Sequence, residues 1–566
     1  MTDSVIYCLY FIVMLNIVVK AQPAPQFTSV QACGVASANG TTATTSIITS
    51  PSGFIFTTGT FSGTVTFGSF ALSSAGYDDV FVAKQDAATG TYLWVTRAGG
   101  ALDEKPTGLA LDSQGNVCLT GEVTSAQADF GSTIFSDAFC TGCPHLFVAK
   151  FSPNGTWLWA NKSISSSYSS SDTATGLAVD ANDAIYVVGS FDSRNLLLGN
   201  LTLTNTQPLS QPFQTGTPDL YVAKLSPSGT WLWAVSGGGT GRDEAVGIGL
   251  DASQNLYVAG FFESTSATFG PTTLSSTGYS NVVVAKLNSA GGWQQVTSGG
   301  SNRYTYPEKL AVASDGSIYI TGRFTVSTTF GTNSLTSAGY YDVFVAKLSP
   351  AGTWLWASSG GGTAADDGLD IVLDRGGNTY ITGYLIGPTA DFGGTQLTNS
   401  FANRLEIFVA KLDEQGNWLW AVSAGGTGDD VGQCLALDNQ GGLYLGGYYQ
   451  SSLAIFGGLG LIGNQNQNPP YRNFGYLARL GNAVLATQIP RVATTFEVYP
   501  NPSQGSIWVK GLKVGQSVRF YNLAGQLVYS TTVPPNVTSP LLQPLQLSKG
   551  IYLMRSDEFT KKIVVE

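Results

Sequence analysis

The feature that most constrains this chain is that its middle repeats itself. An apolar segment closes on Val-Ala-Lys at Lys84, Lys150, Lys224, Lys286, Lys347 and Lys411, and on Leu-Ala-Arg at Arg479. The period averages about 66 residues. A fixed period of this kind marks one supersecondary unit that cannot bury its apolar face alone and must stack against copies of itself. Each copy holds four short apolar segments, represented in the second copy by Gly108–Asp112, Asn116–Gly121, Leu146–Lys150 and Trp157–Ala160. Four short strands in each of seven copies predict an all-β chain, a seven-bladed β-propeller over residues 27–489. Between the second and third strands a Phe-Gly pair recurs at Phe67, Phe130, Phe269, Phe330, Phe392 and Phe456, with Leu198-Gly199 in the remaining copy.

Closing the ring requires a partner for the last copy, whose own fourth strand is not evident. Phe27–Ala32, just before the first full unit, is expected to supply it and so remove an open sheet edge. Residues 482–488 are the competing strand.

Composition narrows the chemistry. Charged residues make up only 11% of the 566 residues, and the formal charge is −10. No basic stripe is available to displace counterions from a phosphate backbone, so nucleic acid is not an expected partner. One histidine, His145, leaves triads with a histidine base and multi-histidine zinc sites without their residues. An enzyme is therefore the less favoured reading. Ten of the eleven Trp lie on the fourth strand, at Trp94, Trp157, Trp159, Trp231, Trp233, Trp293, Trp354, Trp356, Trp418 and Trp420. Because side chains alternate faces along a strand, these are expected to pack between blades rather than to form sugar platforms.

The ends of the chain speak to its destination. Ile6–Val19 is an apolar run of 14, short for a membrane span, and residues 1–21 read as a signal peptide, so no transmembrane span is expected in the mature chain. Its removal leaves five cysteines, an odd number, of which Cys140 and Cys143 are placed to close a small disulfide loop. After a linker at 490–495, residues 496–566 alternate short strands with turn residues, a small antiparallel β-sandwich. Its segments are Phe496-Glu-Val-Tyr-Pro-Asn-Pro502, Val518–Val528, Leu547–Arg555 and Lys561–Glu566.

These four tail segments, in this order, resemble the type A sorting domain of the type IX secretion system. Tyr499, Pro500, Asn501, Pro502, Gly550, Lys561 and Lys562 carry the match. The resemblance implies recognition by the type IX machinery, export, and a secreted or outer cell-surface location. The repeats resemble the SBBP family of seven-bladed propellers through Leu-Asp-x-x-Gly-Asn-x-Tyr followed by Phe-Val-Ala-Lys. That resemblance specifies fold far better than activity.

Two sets of acids recur. The Asp of Leu-Asp-x-x-Gly, at Asp112, Asp180, Asp251, Asp374 and Asp438, sits just before a turn and is expected to accept backbone N–H groups there. A second set leads into the first strand: Asp103, Glu104, Asp172, Asp243, Glu244, Glu308, Asp366, Asp367, Asp429 and Asp430. They share a face with the long insertions between second and third strands. Two roles are open for them: pairing with the Val-Ala-Lys cations or capping loop N–H groups, and a carboxylate ring at the channel mouth that binds a ligand such as a surface glycan or extracellular polymer. No cofactor is expected; calcium on that ring, in an adhesin, and a polysaccharide-active enzyme are the alternatives to a non-catalytic binding or structural module.

Overall fold

The computed structural model describes residues 24–36, 40–136, 142–165, 170–207, 216–276, 278–300, 303–399, 401, 403–463 and 472–481, and in the tail 497–499, 506–510, 517–522, 526–532, 545–546, 548–556 and 560–565. Every regular element among these residues is a β-strand. In the second repeat Glu104–Leu111, Val117–Val123, His145–Phe151 and Trp157–Lys162 pair antiparallel in chain order. The strand sets opening at Thr41, Asp172, Asp243, Thr305 and Asp366 pair in the same order.

Local chemistry sets this unit. Asp112 Oδ1 accepts the N–H groups of Gln114 and Asn116 at 2.9 and 2.8 Å, and Gly115 takes φ 76°, so the chain reverses between the first two strands. The strand that follows, and the Val-Ala-Lys strand beside it, are buried on both faces. First strands of successive repeats contact one another in closed order, from Thr41–Thr49 through Glu104–Leu111 and onward to Asp430–Leu437 and back. They are therefore innermost, and the sheets pack face to face around a central axis. This is a β-propeller-type all-β fold.

Gln26–Ala32 completes the last sheet. It pairs antiparallel with Phe474–Gly481, Val30 opposite Ala478, giving that sheet a strand from the beginning of the chain and three from the end. Residues 482–488 lie outside the described residues.

Four strands per repeat is an undercount. Each repeat also carries a small hairpin around its Phe-Gly or Leu-Gly turn, such as Gln127–Phe130 with Thr133–Ser136. Several of these hairpins extend the preceding repeat's fourth strand: Ala128 pairs with Gly100, Thr268 with Gly238 and Asp391 with Gly361. The strands are four residues long and bury only alternate positions, Ala128 and Phe130 in this copy, which is why the apolar pattern does not announce them.

Tryptophan joins neighbouring repeats. The indole N–H of Trp94 donates to Pro153 O at 3.0 Å, Trp159 to Pro227 O at 3.2 Å, and Trp233 to Ser289 O at 3.1 Å, each in the turn of the next repeat. The glycine of that turn leaves room for the ring: a Cβ on Gly155 would lie 2.7 Å from Trp94 Cδ2, and one on Gly229 2.9 Å from Trp159 Cδ2.

Cys33, Cys118 and Cys434 are free and buried, and Cys143 is disulfide-bonded. Its expected partner Cys140 lies outside the described residues. In the tail, Tyr499 pairs with Trp508, Gly550 with Val565, Lys561 with Met554 and Lys562 with Leu553. Val518, Phe520, Met554 and Ile563 are buried within it. The signal-peptide segment 1–21, the linker 490–495 and Pro500, Asn501 and Pro502 lie outside the described residues.

Candidate ligand-binding site

The ten acids that lead into first strands occupy different structural positions. Glu104, Asp172, Asp243, Asp366 and Asp430 hold the first ladder position and are buried. Each bonds to the backbone of loops. Asp243 Oδ2 accepts Gly239 N and Ser264 Oγ, both at 2.6 Å. Glu104 accepts Gly100 N at 2.6 Å and Ser125 N at 3.1 Å, and Asp366 accepts Gly362 N at 2.6 Å. These carboxylates tie the crossover from the preceding repeat to the loop leaving the second strand. Asp103 and Asp429 lie one residue earlier and accept the backbone N–H of Asp78 at 3.2 Å and of Leu405 at 3.1 Å.

The first position faces a second acidic set that the sequence pattern does not single out, at the start of third strands: Asp79, Asp219, Asp342 and Glu406. A Cβ placed on Gly361 would lie 2.9 Å from Asp366 Oδ2 and 3.0 Å from Asp342 Oδ1, so the two carboxylates meet around that glycine. Gly425 stands in the same way between Glu406 and Asp430. Burial, only partly offset by hydrogen bonds, pushes Asp219, Asp243, Asp366 and Asp430 up to about 6, with the facing acid adding to the rise at Asp219 and Asp366, and burial with the charge of Asp430 pushes Glu406 to about 8. Asp172 rises to about 7, mainly by burial.

The Val-Ala-Lys cations do not pair with the leading acids. Lys150 lies 2.8 Å from Asp112, Lys224 3.2 Å from Asp180, Lys411 3.5 Å from Asp374, and Arg479 2.9 Å from Asp438. All are turn acids at the opposite end of the sheet. The register is the reason: the lysine pairs across the ladder near the end of the second strand that meets the Asp-x-x-Gly turn, as Cys118 opposite Lys150 shows.

Glu244, Glu308 and Asp367 differ from the rest. Glu244 and Asp367 follow the first ladder position and so project from the other face of the strand. Glu308 is not equivalent to either; it is the bulged residue between Pro307 and Lys309, and Thr305 takes the first position in its repeat. Glu244 and Glu308 line a cavity of about 570 Å³ together with Arg242, Arg323, Tyr306 and Tyr341.

The cavity is built around Arg323. Its guanidinium pairs with Asp367 and, at 2.9 Å, with Glu308, and lies 5.5 Å from the ring centres of both Tyr306 and Tyr341. Arg242 grips Glu244 through two bonds of 2.6 and 3.1 Å and sits 5.0 Å from the centre of the Phe261 ring. Burial pushes the Glu308 carboxyl up, and the charge of Asp367 adds to that rise. From the cavity a row of tyrosines runs outward: Tyr306 stacks on Tyr304 at 5.8 Å and Tyr304 on Tyr279 at 5.1 Å. Tyr279 is 57% exposed and Tyr340, packed edge-on against Tyr341, 68% exposed. Beside them Val326, an exposed β-branched residue, is held at φ 57° in the loop whose neighbour Thr325 donates to Tyr304 O at 3.0 Å.

Sequence reading passed over these aromatics, although a signal was present. Ser-x-Gly-Tyr precedes the third strand at Tyr77, Tyr279 and Tyr340, and in all three places the tyrosine is exposed. Of the acids singled out, only Glu244, Glu308 and Asp367 reach this cluster; Glu104, Asp172, Asp243, Asp366 and Asp430 are spent on loops. Among the described residues, no group of three or more His, Cys, Asp or Glu is arranged to hold a metal ion.

The chain is thus a β-propeller-type protein with an aromatic, charged cavity at its axis. Residues 497–566 match the model of the secretion system C-terminal sorting domain. The protein is accordingly an exported type IX client, destined for the cell surface or the extracellular space, and its tail is the part that engages the secretion machinery. Over 440 residues, 64% of this chain, it is 22% identical to an uncharacterized WD repeat-containing protein of Acanthamoeba polyphaga mimivirus, of which it covers 32%. Over 148 residues, 26% of this chain, it is 29% identical to the regulatory protein FlaEY of Caulobacter vibrioides, of which it covers 16%. The chain therefore spans a third or less of these relatives. Among solved structures, PorZ, a surface component of the type-IX secretion system of Porphyromonas gingivalis, is similar at 11% identity and a TM-score of 0.20, covering 91% of this chain and 85% of that one. No helix among the described residues is long and apolar enough to cross a membrane.

Proposed function

We propose that this is a seven-bladed, SBBP-type propeller that works outside the cell as a non-catalytic binding module, holding a surface glycan or extracellular polymer at the tyrosine-lined mouth of its axis. The observation that carries the reading is the row Tyr306, Tyr304 and Tyr279, which leads from solvent to a cavity where Arg323, Glu308, Arg242 and Glu244 present donors and acceptors side by side. Apolar ring faces beside planar charged groups suit a polyhydroxylated chain, whose sugar rings have both C–H faces and hydroxyl edges. A binding role is favoured over catalysis because the acids nearest the cavity are committed to arginines: Glu308 and Asp367 share Arg323, and Glu244 is gripped by Arg242.

A screen of the purified full chain against immobilised polysaccharides tests this. Binding to at least one polymer is expected, weakened about tenfold or more by Tyr304→Ala, the scale of losing one well-packed aromatic contact. Retention of full affinity in that variant, or hydrolysis of the bound polymer, would overturn the reading.

A further inference from the structure

At the end of the sheets opposite the tyrosine row, the tight turns between first and second strands of neighbouring repeats lie side by side, and side chains bridge them. Between the second and third repeats Asp183 closes the gap: its carboxylate accepts Ser113 N and Ser113 Oγ, both at 2.8 Å, and Gln114 Nε2 at 2.9 Å. Between the third and fourth, Gln254 Oε1 accepts Ala181 N at 2.8 Å. Asp183 and Gln254 hold the same place, three residues after the turn acids Asp180 and Asp251, and both sit at positive φ, 61° and 63°. The donors are equivalent too, since Ser113 and Ala181 directly follow Asp112 and Asp180. Two junctions thus display what this position takes: a carboxylate or amide oxygen reaching over from the next repeat.

The sixth turn has the donor without the acceptor. Arg375 stands where Ser113 and Ala181 do, and Gly441 where Asp183 and Gln254 do. Among the described residues neither the Arg375 N–H nor its guanidinium has a hydrogen-bond or ion-pair partner. Gly441 takes φ 79°, and a Cβ on it would meet nothing within 4 Å. A groove of about 410 Å³ opens there, with Arg375 and Gly441 in its lining. The other junctions lack this combination. A Cβ on Gly316 would lie 2.9 Å from the Tyr257 hydroxyl, and one on Gly377 3.1 Å from Glu414 Cγ. Gly115 faces a turn whose equivalent donor is Pro51, which has no N–H. Gly53 is open, but the turn before it carries Asn439 in place of the arginine.

The two acids of the groove are occupied within their own turns. Asp374 accepts Gly376 N at 2.9 Å, Asn378 N at 3.0 Å and Asn378 Nδ2 at 2.8 Å, and lies 3.5 Å from Lys411. Asp438 accepts Gln440 N at 2.9 Å and Gly442 N at 2.7 Å, and lies 2.9 Å from Arg479. Their presence does not exclude a further carboxylate, because Asp183 binds beside the equivalent Asp112, itself engaged by Gln114 N, Asn116 N and Lys150. At the sixth turn the arginine adds a planar cation suited to a carboxylate, which Ser113 lacks.

We propose that the groove between the sixth and seventh turns binds the aspartyl carboxylate of an acidic protein segment, with the Arg375 N–H and guanidinium holding its oxygens as Ser113 and Gln114 hold those of Asp183. A peptide is the partner because the carboxylate that fills the equivalent gap is carried on a peptide turn. This site lies on the face away from the tyrosines and stands or falls separately from the glycan reading.

Calorimetry on the full chain at low salt tests it with three probes: end-blocked tetra-aspartate, end-blocked tetra-asparagine and tetragalacturonate. Tetra-aspartate is expected to bind about tenfold or more tighter than tetra-asparagine, the scale of one hydrogen bond to a charged group, and Arg375→Gln to weaken it by a similar factor. Gly441→Asp places a carboxylate in the gap from within the chain, in a backbone region that Asp tolerates. That variant is expected to melt no lower than the parent and to lose tetra-aspartate binding, a pairing that an unfolded variant would not give. Absence of tetra-aspartate binding, equal binding of tetra-asparagine, or undiminished binding to either variant would overturn the proposal. A lower melting temperature in Gly441→Asp would show that the position does not take a carboxylate and would overturn it as well. Tighter binding of tetragalacturonate would assign the groove to an acidic polysaccharide and overturn the protein ligand.

Discussion

Lys150 Nζ lies 2.8 Å from Asp112 Oδ2, and the two side chains are 5% and 0% exposed. The pair joins the Val-Ala-Lys strand to the Asp-x-x-Gly turn of the same sheet. Burial alone would raise the Asp112 carboxyl, but hydrogen bonds from Lys150 and Asn116 outweigh it and hold the group below its usual value. Removing one partner leaves a buried, uncompensated charge. Asp112→Ala is expected to cost about 3–5 kcal/mol in urea denaturation, and adding Lys150→Met to that variant is expected to restore much of the loss. A double variant as unstable as the single one would refute this account.

Paired carboxylates at the junctions between repeats make stability depend on pH. Asp219, Asp243, Asp366 and Asp430 sit at about 6 and Glu406 at about 8, above their unfolded values near 4. Between these limits the folded chain holds more protons than the unfolded one, so stability is full at the acid end of the window and falls as pH rises through 6 to 8. The turn acids Asp112, Asp180 and Asp374 are lowered and act oppositely, losing their contribution only as pH falls below about 4. The melting temperature is expected to peak near pH 5 and to decline toward pH 8.5. Asp219→Asn, which removes one member of a pair, should flatten the alkaline decline; an unchanged slope would show that these pairs do not titrate as described.

The glycines under the tryptophans are expected to be intolerant. Gly229 takes φ 89°, a conformation that L residues rarely adopt, and a Cβ there would meet Trp159. Gly229→Ala should lower stability by about 1–3 kcal/mol through strain and overpacking. The same substitution at Gly53, where φ is 81° and no atom lies within 4 Å, separates the two effects, since only the backbone part remains.

Closure by an N-terminal strand predicts a specific failure on truncation. Without Gln26–Ala32 the strand Phe474–Gly481 becomes a free edge, and its own Tyr476, Ala478 and Leu480 are buried in the native sheet. A chain beginning after residue 32 is expected to melt at lower temperature and to self-associate through that edge. A monomeric truncated protein of unchanged melting temperature, measured by light scattering and thermal unfolding, would contradict the closure.

Much of the fold was readable because it repeats. Val-Ala-Lys, Asp-x-x-Gly and Trp-Leu-Trp recur at fixed spacing, and each is a local solution: a strand buried on both faces, a side chain that turns its own backbone, a ring with room over a glycine. The Phe-Gly hairpins were missed because four-residue strands burying alternate positions give too little pattern. Of the ten leading acids, Glu104, Asp172, Asp243, Asp366 and Asp430 open first strands, while Glu308 falls at a bulge inside one, and their fates were not legible. Asp366 and Asp367 are neighbours, yet one caps a loop and the other meets Arg323, because strand side chains alternate sides.

What the chain determined by itself is therefore everything set by neighbours in sequence: the repeat, the all-β character, the turns and the sorting tail. Only the tertiary structure decided which acids face one another across a junction, that the Val-Ala-Lys cations answer the turn acids, and that Tyr306 and Tyr341 flank Arg323 with Tyr304 and Tyr279 stacked outward from them. Those relationships join residues from different strands and repeats, and their distances follow from how twisted sheets pack around an axis, which no local spacing records.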